Sequence, residues 1–182
     1  MNGQNNGSLR PFRAAVIAAA IVLAAVLRIA PHPFNLTPVG AMALFSGALF
    51  RNRLAAFLFP LAALFAGDVF VGFHRLMPAV YASFAVSVAI GRWLGGSRSV
   101  IRLGGAVFLG ALQFYLVTNF ALWAVGGFYP RTAAGLAACY AAGIPYFGNT
   151  LAGDALYAAV LFGGFRFAEK TVPALAAPDS GK

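Results

Sequence analysis

Charge is scarce in this chain of 182 residues, and acidic charge is scarcest. Thirteen Lys and Arg stand against four Asp and Glu, and charged residues make up 9% of the total. A soluble domain carries about 25%. A single cysteine, Cys139, excludes an intramolecular disulfide and a cysteine zinc framework. In the Ala-Ala-Cys-Tyr-Ala-Ala segment it reads as a small packing residue rather than a nucleophile. The two histidines, His32 and His74, have no helical ligand spacing to each other, to Asp68 or to Cys139, so no metal site is expected. The only lysines are Lys170 and Lys182, and no Gly-x-x-x-x-Gly-Lys-Ser/Thr run occurs, so the chain cannot hydrolyse ATP through a P-loop. Ser46, Ser83, Ser87, Ser97 and Ser99 have no histidine at a matching depth, which argues against an intramembrane serine protease. The chain reads as a non-enzyme without cofactor.

What fills the chain is apolar: 61% of residues are hydrophobic and the mean hydropathy is +0.81. The basic residues sit at the ends of the apolar runs and alternate in number. Arg10 and Arg13 precede the lone Arg28; Arg51 and Arg53 precede the lone Arg75; Arg92, Arg98 and Arg102 precede the lone Arg131; Arg166, Lys170 and Lys182 close the series. Alternate clusters assigned to opposite sides of a membrane give ten basic residues on one side and three on the other. The Lys/Arg-rich side is cytoplasmic. An all-α polytopic protein with six transmembrane helices and cytoplasmic N- and C-termini follows. The net charge of +9 belongs to these span ends and to lipid headgroups, not to nucleic acid.

Residues 1–10 read as a disordered polar tail, 11–168 as the six-span bundle and 169–182 as a loose cytoplasmic tail. Span 1 runs from Arg13 to Ala30. Arg28 interrupts the place of a signal-peptide cleavage site, so an uncleaved span is expected. Span 2, Leu36–Phe50, is the weakest, because a full crossing needs about 20 residues. Its Gly40, Ala43 and Gly47 offer a small-residue face for close packing. Thr37 is expected to cap it, with Pro38 at its first helical position. Span 3 is Leu54–Phe73 with a kink at Pro60, span 4 Met77–Trp93, span 5 Leu103–Val125 and span 6 Ile144–Phe165. Between spans 5 and 6, Thr132–Ala142 reads as a separate short helix at the interface.

A charged group at the centre of a membrane helix costs about 2.5–3.5 kcal/mol. The costly residues here are Asp68, Gln113, Asn119, Asn149, Thr150 and Asp154, and most fall in the outer half of the six-span topology. That asymmetry implies a polar cavity open to the outside. Tyr146, Thr150, Gly153 and Tyr157 share one side of span 6, flanked by Asn149 and Asp154. The two rings and the gap at Gly153 suit a ring-containing ligand. Equally, Asn149 and Asp154 could tie neighbouring helices together, and Asp68 could pair with Arg28 or Arg75. Pro31, Pro33 and Pro38 stiffen the first outer loop, where His32 and Phe34 are candidates for ligand contact.

Three blocks carry a resemblance. Pro31-His32-Pro33-Phe34-Asn35-Leu36-Thr37-Pro38 runs on into Gly40-Ala41-Met42-Ala43-Leu44-Phe45. Gly67-Asp68 precedes Gly72-Phe73-His74. Cys139-Tyr140-Ala141-Ala142-Gly143-Ile144-Pro145-Tyr146-Phe147 continues through Asn149-Thr150-Leu151-Ala152-Gly153-Asp154. Together they resemble a bacterial membrane family of unknown function assigned to transport. That family is similar in size and layout to the S components of energy-coupling factor vitamin transporters. The resemblance implies a multi-pass protein of the bacterial inner membrane that binds a vitamin-like micronutrient under the first outer loop. It also implies a transmembrane coupling protein with ATPase subunits as partner, engaged through small residues of span 1. Ala15, Ala19, Ala20 and Ala24 have that spacing. The alternative class is a non-transporting membrane protein, an assembly subunit or a lipid-modifying enzyme.

The charge alternation is open to a direct check. In a Cys139→Ala background, single cysteines replacing Arg53 and Arg98 should resist an impermeant thiol reagent in intact cells, and one replacing Arg131 should react. Labelling at 53 or 98 with none at 131 would reject this topology.

Overall fold

The computed structural model describes residues 6–27, 35–172 and 175. The described residues form six helices and no strand: α1 (Asn6–Leu27), α2 (Val39–Leu49), α3 (Arg53–Val71), α4 (Met77–Leu94), α5 (Val100–Val125) and α6 (Ala133–Thr171). Of these, α3, α4, α5 and α6 are long and apolar enough to cross a membrane. The apolar part of α1, Pro11–Leu23, is shorter, and so is α2.

Local chemistry sets three of the six helix starts. The Asn52 side chain accepts from the Leu54 and Ala55 N–H groups, Ser99 accepts from Arg102, and Thr132 from Gly135. Each occupies first-turn donors that have no partner inside their own helix. After α4 the chain turns at Gly95, whose φ of 56° lies in the region that favours glycine.

Four expectations need correction. Helix α1 begins at Asn6, inside the segment read as a disordered tail. Thr132–Ala142 is not a separate helix, because α6 runs unbroken for 39 residues and passes through Pro145. The ring removes one backbone bond there, yet the Thr132 cap and contacts with α5 hold the preceding turns in line. Thr37 does not cap α2: Pro38 is the N-cap residue, without a side-chain bond, and the helix starts one residue later. Finally, Glu169 opens the expected loose tail, but it is ion-paired to Arg13 at 2.6 Å.

Helix α2 is the shortest element and the most enclosed. Its 11 residues rise about 16 Å, roughly half of a hydrocarbon core. Every residue from Val39 to Gly47 is buried, and all five other helices pack against it, α4 most extensively. A helix apolar all round suits that position. Phe45 is fully buried and meets Phe162 and Phe165 of α6 edge to face at 5.3 and 5.7 Å. The Ser46 hydroxyl donates to the Ala56 carbonyl of α3 at 2.7 Å.

The contact between α2 and α4 is backbone on backbone. A Cβ on Gly47 would overlap the Val88 carbonyl oxygen, and one on Gly91 would overlap the Leu44 carbonyl oxygen. Ser83, Ser87 and Gly91 recur every fourth residue of α4, and all are buried. Such small-residue faces let membrane helices approach closely. Where the opposing atoms are backbone, relief requires the helices to separate.

Gly47→Ala and Gly91→Ala should therefore each lower stability by about 1–3 kcal/mol through overfilling. Gly105→Ala on α5, whose added Cβ meets nothing within 4 Å, should hold or raise it. Detergent melting curves of the three variants decide; equal behaviour would rule out the close α2–α4 contact.

Candidate functional site

The N-terminus of α2 lies inside the bundle. Its first-turn N–H groups cannot reach water, and Pro38 has no side-chain oxygen to offer them. Asp154 of α6, 3% exposed, supplies what is missing. Its Oδ1 accepts the Ala41 N–H at 3.1 Å, and the Gly40 N–H bonds the same carboxyl group. The arrangement is an N-cap delivered from another helix, 113 residues away in sequence. The helix dipole favours negative charge at that point. Gly40 is required there, since a Cβ would overlap both Asp154 oxygens. Gly153 is tight as well: a Cβ would stand 3.1 Å from the Thr37 nitrogen.

Beside the carboxyl group is a cavity of about 40 Å³. Asn35, Thr37, Ser87, Thr150 and Asp154 give it polar walls, and Phe84 and Phe114 give it apolar ones. Asn35 adopts a φ of 63°, which asparagine tolerates better than most residues. The Ser87 hydroxyl oxygen accepts from Gln113 Nε2 at 3.0 Å, which leaves its own hydrogen for the cavity. The same Nε2 donates to the Ser83 carbonyl at 2.9 Å, so one amide ties α5 to α4.

Among the residues singled out in the sequence, Thr150 and Asp154 meet at this cavity. Asn149 is half-buried on the preceding turn. Asn119 lies apart from the cavity, at the contact of α5 with α6. A Cβ on Gly143 would touch its Oδ1, and its Nδ2 donates to the Tyr115 carbonyl at 2.9 Å. Neighbouring bonds there run from the Tyr115 hydroxyl to the Tyr140 carbonyl at 2.6 Å and from the Tyr140 hydroxyl to the Leu116 carbonyl at 2.9 Å. Asp68 is buried and accepts from the Tyr81 hydroxyl of α4 at 2.7 Å. Tyr146 is 48% exposed, and Tyr157 lines a different groove, between α1 and α6. Ala15 and Ala19 are exposed on α1, while Ala20 lines that groove. His32, Phe34 and the Ala24 side chain lie outside the described residues.

Sequence reasoning left Ser87, Asn35, Phe84 and Phe114 out of the site. The four-residue repeat Ser83, Ser87, Gly91 was the signal available for the first. Thr37 was read as a cap, and the two phenylalanines had no distinguishing mark.

The fold defines an all-helical protein with membrane-type helices and a capped half-helix at its centre. The chain belongs to the family of unknown function DUF6580, whose model matches residues 9–175. Membership carries no link to transporters or to energy-coupling factor S components. No curated protein and no solved structure matches the chain.

Removing the distant cap should cost stability. Asp154→Ala strands two buried N–H groups, at about 1–3 kcal/mol each. Asp154→Asn keeps an oxygen acceptor and should lose less. Melting in detergent checks the order; an alanine variant as stable as wild type would show that the carboxyl group does not cap α2.

Proposed function

We propose that the chain is a bacterial inner-membrane protein that binds a small organic nutrient from the outer face and helps import it. In this reading six segments lie in the membrane, with both termini cytoplasmic, and α2 together with the chain before it makes the second crossing. The observation that carries the reading is the polar cavity at the N-terminus of α2. Asp154 already holds the Gly40 and Ala41 N–H groups at this terminus, so a nutrient's polar groups would bond to the other polar walls of the cavity and to the carboxyl group itself. Thr150, Ser87 and Asp154 supply further donors and acceptors around it. At about 40 Å³ the cavity admits little more than a water molecule, whereas small-molecule sites measure about 300–1,000 Å³. In this reading the closed arrangement is the one described, and a nutrient enters by displacing the Asn35–Pro38 segment. The exposed Ala15 and Ala19 face of α1 suits a transmembrane coupling partner, whose ATPase subunits would supply the energy that a chain without a P-loop cannot.

A second reading rests on the Ala41–Asp154 bond: the carboxyl group serves only to hold α2, and the protein is a non-transporting membrane subunit. The two readings separate in one paired measurement. Wild type and Asp154→Asn are melted in detergent, alone and with each of a panel of vitamins and nucleobases. A ligand at about 100 times its Kd adds roughly 2.7 kcal/mol to the folded state. The transport reading expects such a stabilisation in wild type, reduced in the variant. No stabilisation by any compound, or a lower melting temperature with an undiminished ligand shift, favours the structural reading.

A further inference from the structure

At the end of the bundle opposite the Asp154 cavity, three chain segments bring basic residues together. Arg13 of α1, Arg98 after α4, and Arg166 and Glu169 of α6 border a cavity of about 110 Å³ beside Gly95-Gly96-Ser97. Arg13 pairs with Glu169 and also donates to the Leu175 carbonyl. Arg166 donates to the Ser97 carbonyl at 2.9 Å. Among the described residues neither Arg98 nor Arg166 has an acidic partner within ion-pair distance. Among the described residues, therefore, two guanidinium groups at the cavity lack a carboxylate partner, and its volume equals several waters at about 30 Å³ each. That is room for a phosphate group.

An apolar groove of about 260 Å³ adjoins it. Val16 and Ala20 of α1 form one wall, and Tyr157, Leu161 and Gly164 of α6 the other. Phe165 borders both spaces, and the Arg13 guanidinium lies over its ring at 4.9 Å. Gly164 is exposed within a helix, and a Cβ there would meet nothing within 4 Å. Glycine weakens a helix interior, and among the described residues no neighbour requires it at that point.

We propose that groove and basic cavity form one seat for an anionic phospholipid of the adjoining leaflet, one acyl chain between α1 and α6 and the phosphate on Arg98 and Arg166. Charge complementarity selects the occupant: a phosphodiester accepts from guanidinium donors, and basic pockets between membrane helices bind such headgroups. The apolar groove suits an acyl chain, and Phe165 borders both it and the headgroup cavity. This assignment does not depend on the outer cavity having a ligand.

The test uses the full chain in detergent, with native mass spectrometry and melting as readouts. Phosphatidylglycerol should remain bound and raise the melting temperature, and phosphatidylcholine should do so far less. Arg98→Gln with Arg166→Gln should weaken phosphatidylglycerol binding about thirty-fold, the loss expected for two basic residues at a membrane surface. Arg75→Gln with Arg131→Gln should leave binding unchanged. Arg98 is exposed, so its single variant tests the point without risk to folding. Gly164→Leu should weaken lipid binding by filling the groove. Equal stabilisation by phosphatidylcholine, retained binding in both the Arg98 single variant and the double variant, or an equal shift with glycerol phosphate alone would overturn the proposal; the last result would mark a free-phosphate site.

Discussion

A helix that starts inside a bundle must find partners for its first N–H groups, and here the partner is one carboxyl group. Asp154 on the α2 terminus is the constraint on which the centre of the molecule depends. Without water nearby, an unbonded donor is expensive and so is an unbonded carboxyl group. Joined, each removes the other's cost. The pairing also explains Gly40 and Gly153, since both backbones must come close for the oxygens to reach. The most expensive residue of α6 thus becomes the reason a half-length helix can occupy the core.

The far side of α2 is held by different means. Toward α4 the contact is mainly the mutual approach of Gly47 and Gly91 to opposing carbonyls, with Arg92 donating to the Phe50 carbonyl at the end of α2 at 3.4 Å. Between helices in lipid, close packing rather than hydrophobic burial drives association. Polar atoms are spent sparingly: Ser46 to α3, and Gln113 from α5 to α4. Each bond joins a different helix pair, so the central helix and its neighbours are registered along their length. The α5–α6 contact follows the same rule through the Tyr115 and Tyr140 hydroxyls, each bonded to a carbonyl of the other helix.

Much of this was legible in the sequence, and the gaps have physical causes. Apolar runs and Arg clusters located the helices, and Arg13, Arg98 and Arg166, assigned to one side, do meet at one end. The weak length of the second run foretold a short α2, and the small residues at 40, 43 and 47 foretold a close neighbour. Asp154 stood out by its cost. Its partner did not, because a backbone N–H leaves no trace in side-chain identity. The capping position was misjudged by one residue for a related reason: a threonine before a proline is a good local signal, and the long-range carboxyl group outcompetes it. The separate helix expected over Thr132–Ala142 instead runs on into α6, because loss of one bond at Pro145 is tolerable where neighbouring turns are capped and packed. The dispersal of Asn119, Asp68 and Tyr146 away from Asp154 depends on helix rotation, which a list of intramembrane polar residues does not encode.

The unbroken course of α6 has a mechanical meaning. The same rod bears Asp154 and, twelve residues on, Arg166, about 18 Å further along its axis. A helix is stiff in torsion because every turn is locked to the next by hydrogen bonds. A rotation that draws the carboxyl group off α2 therefore swings Arg166 and Glu169 through a similar angle at the other end, straining the Arg13 ion pair and the Ser97 bond. The Asp154 cap and the Arg13 ion pair are thus mounted on one shaft, and a displacement at either end is felt at the other.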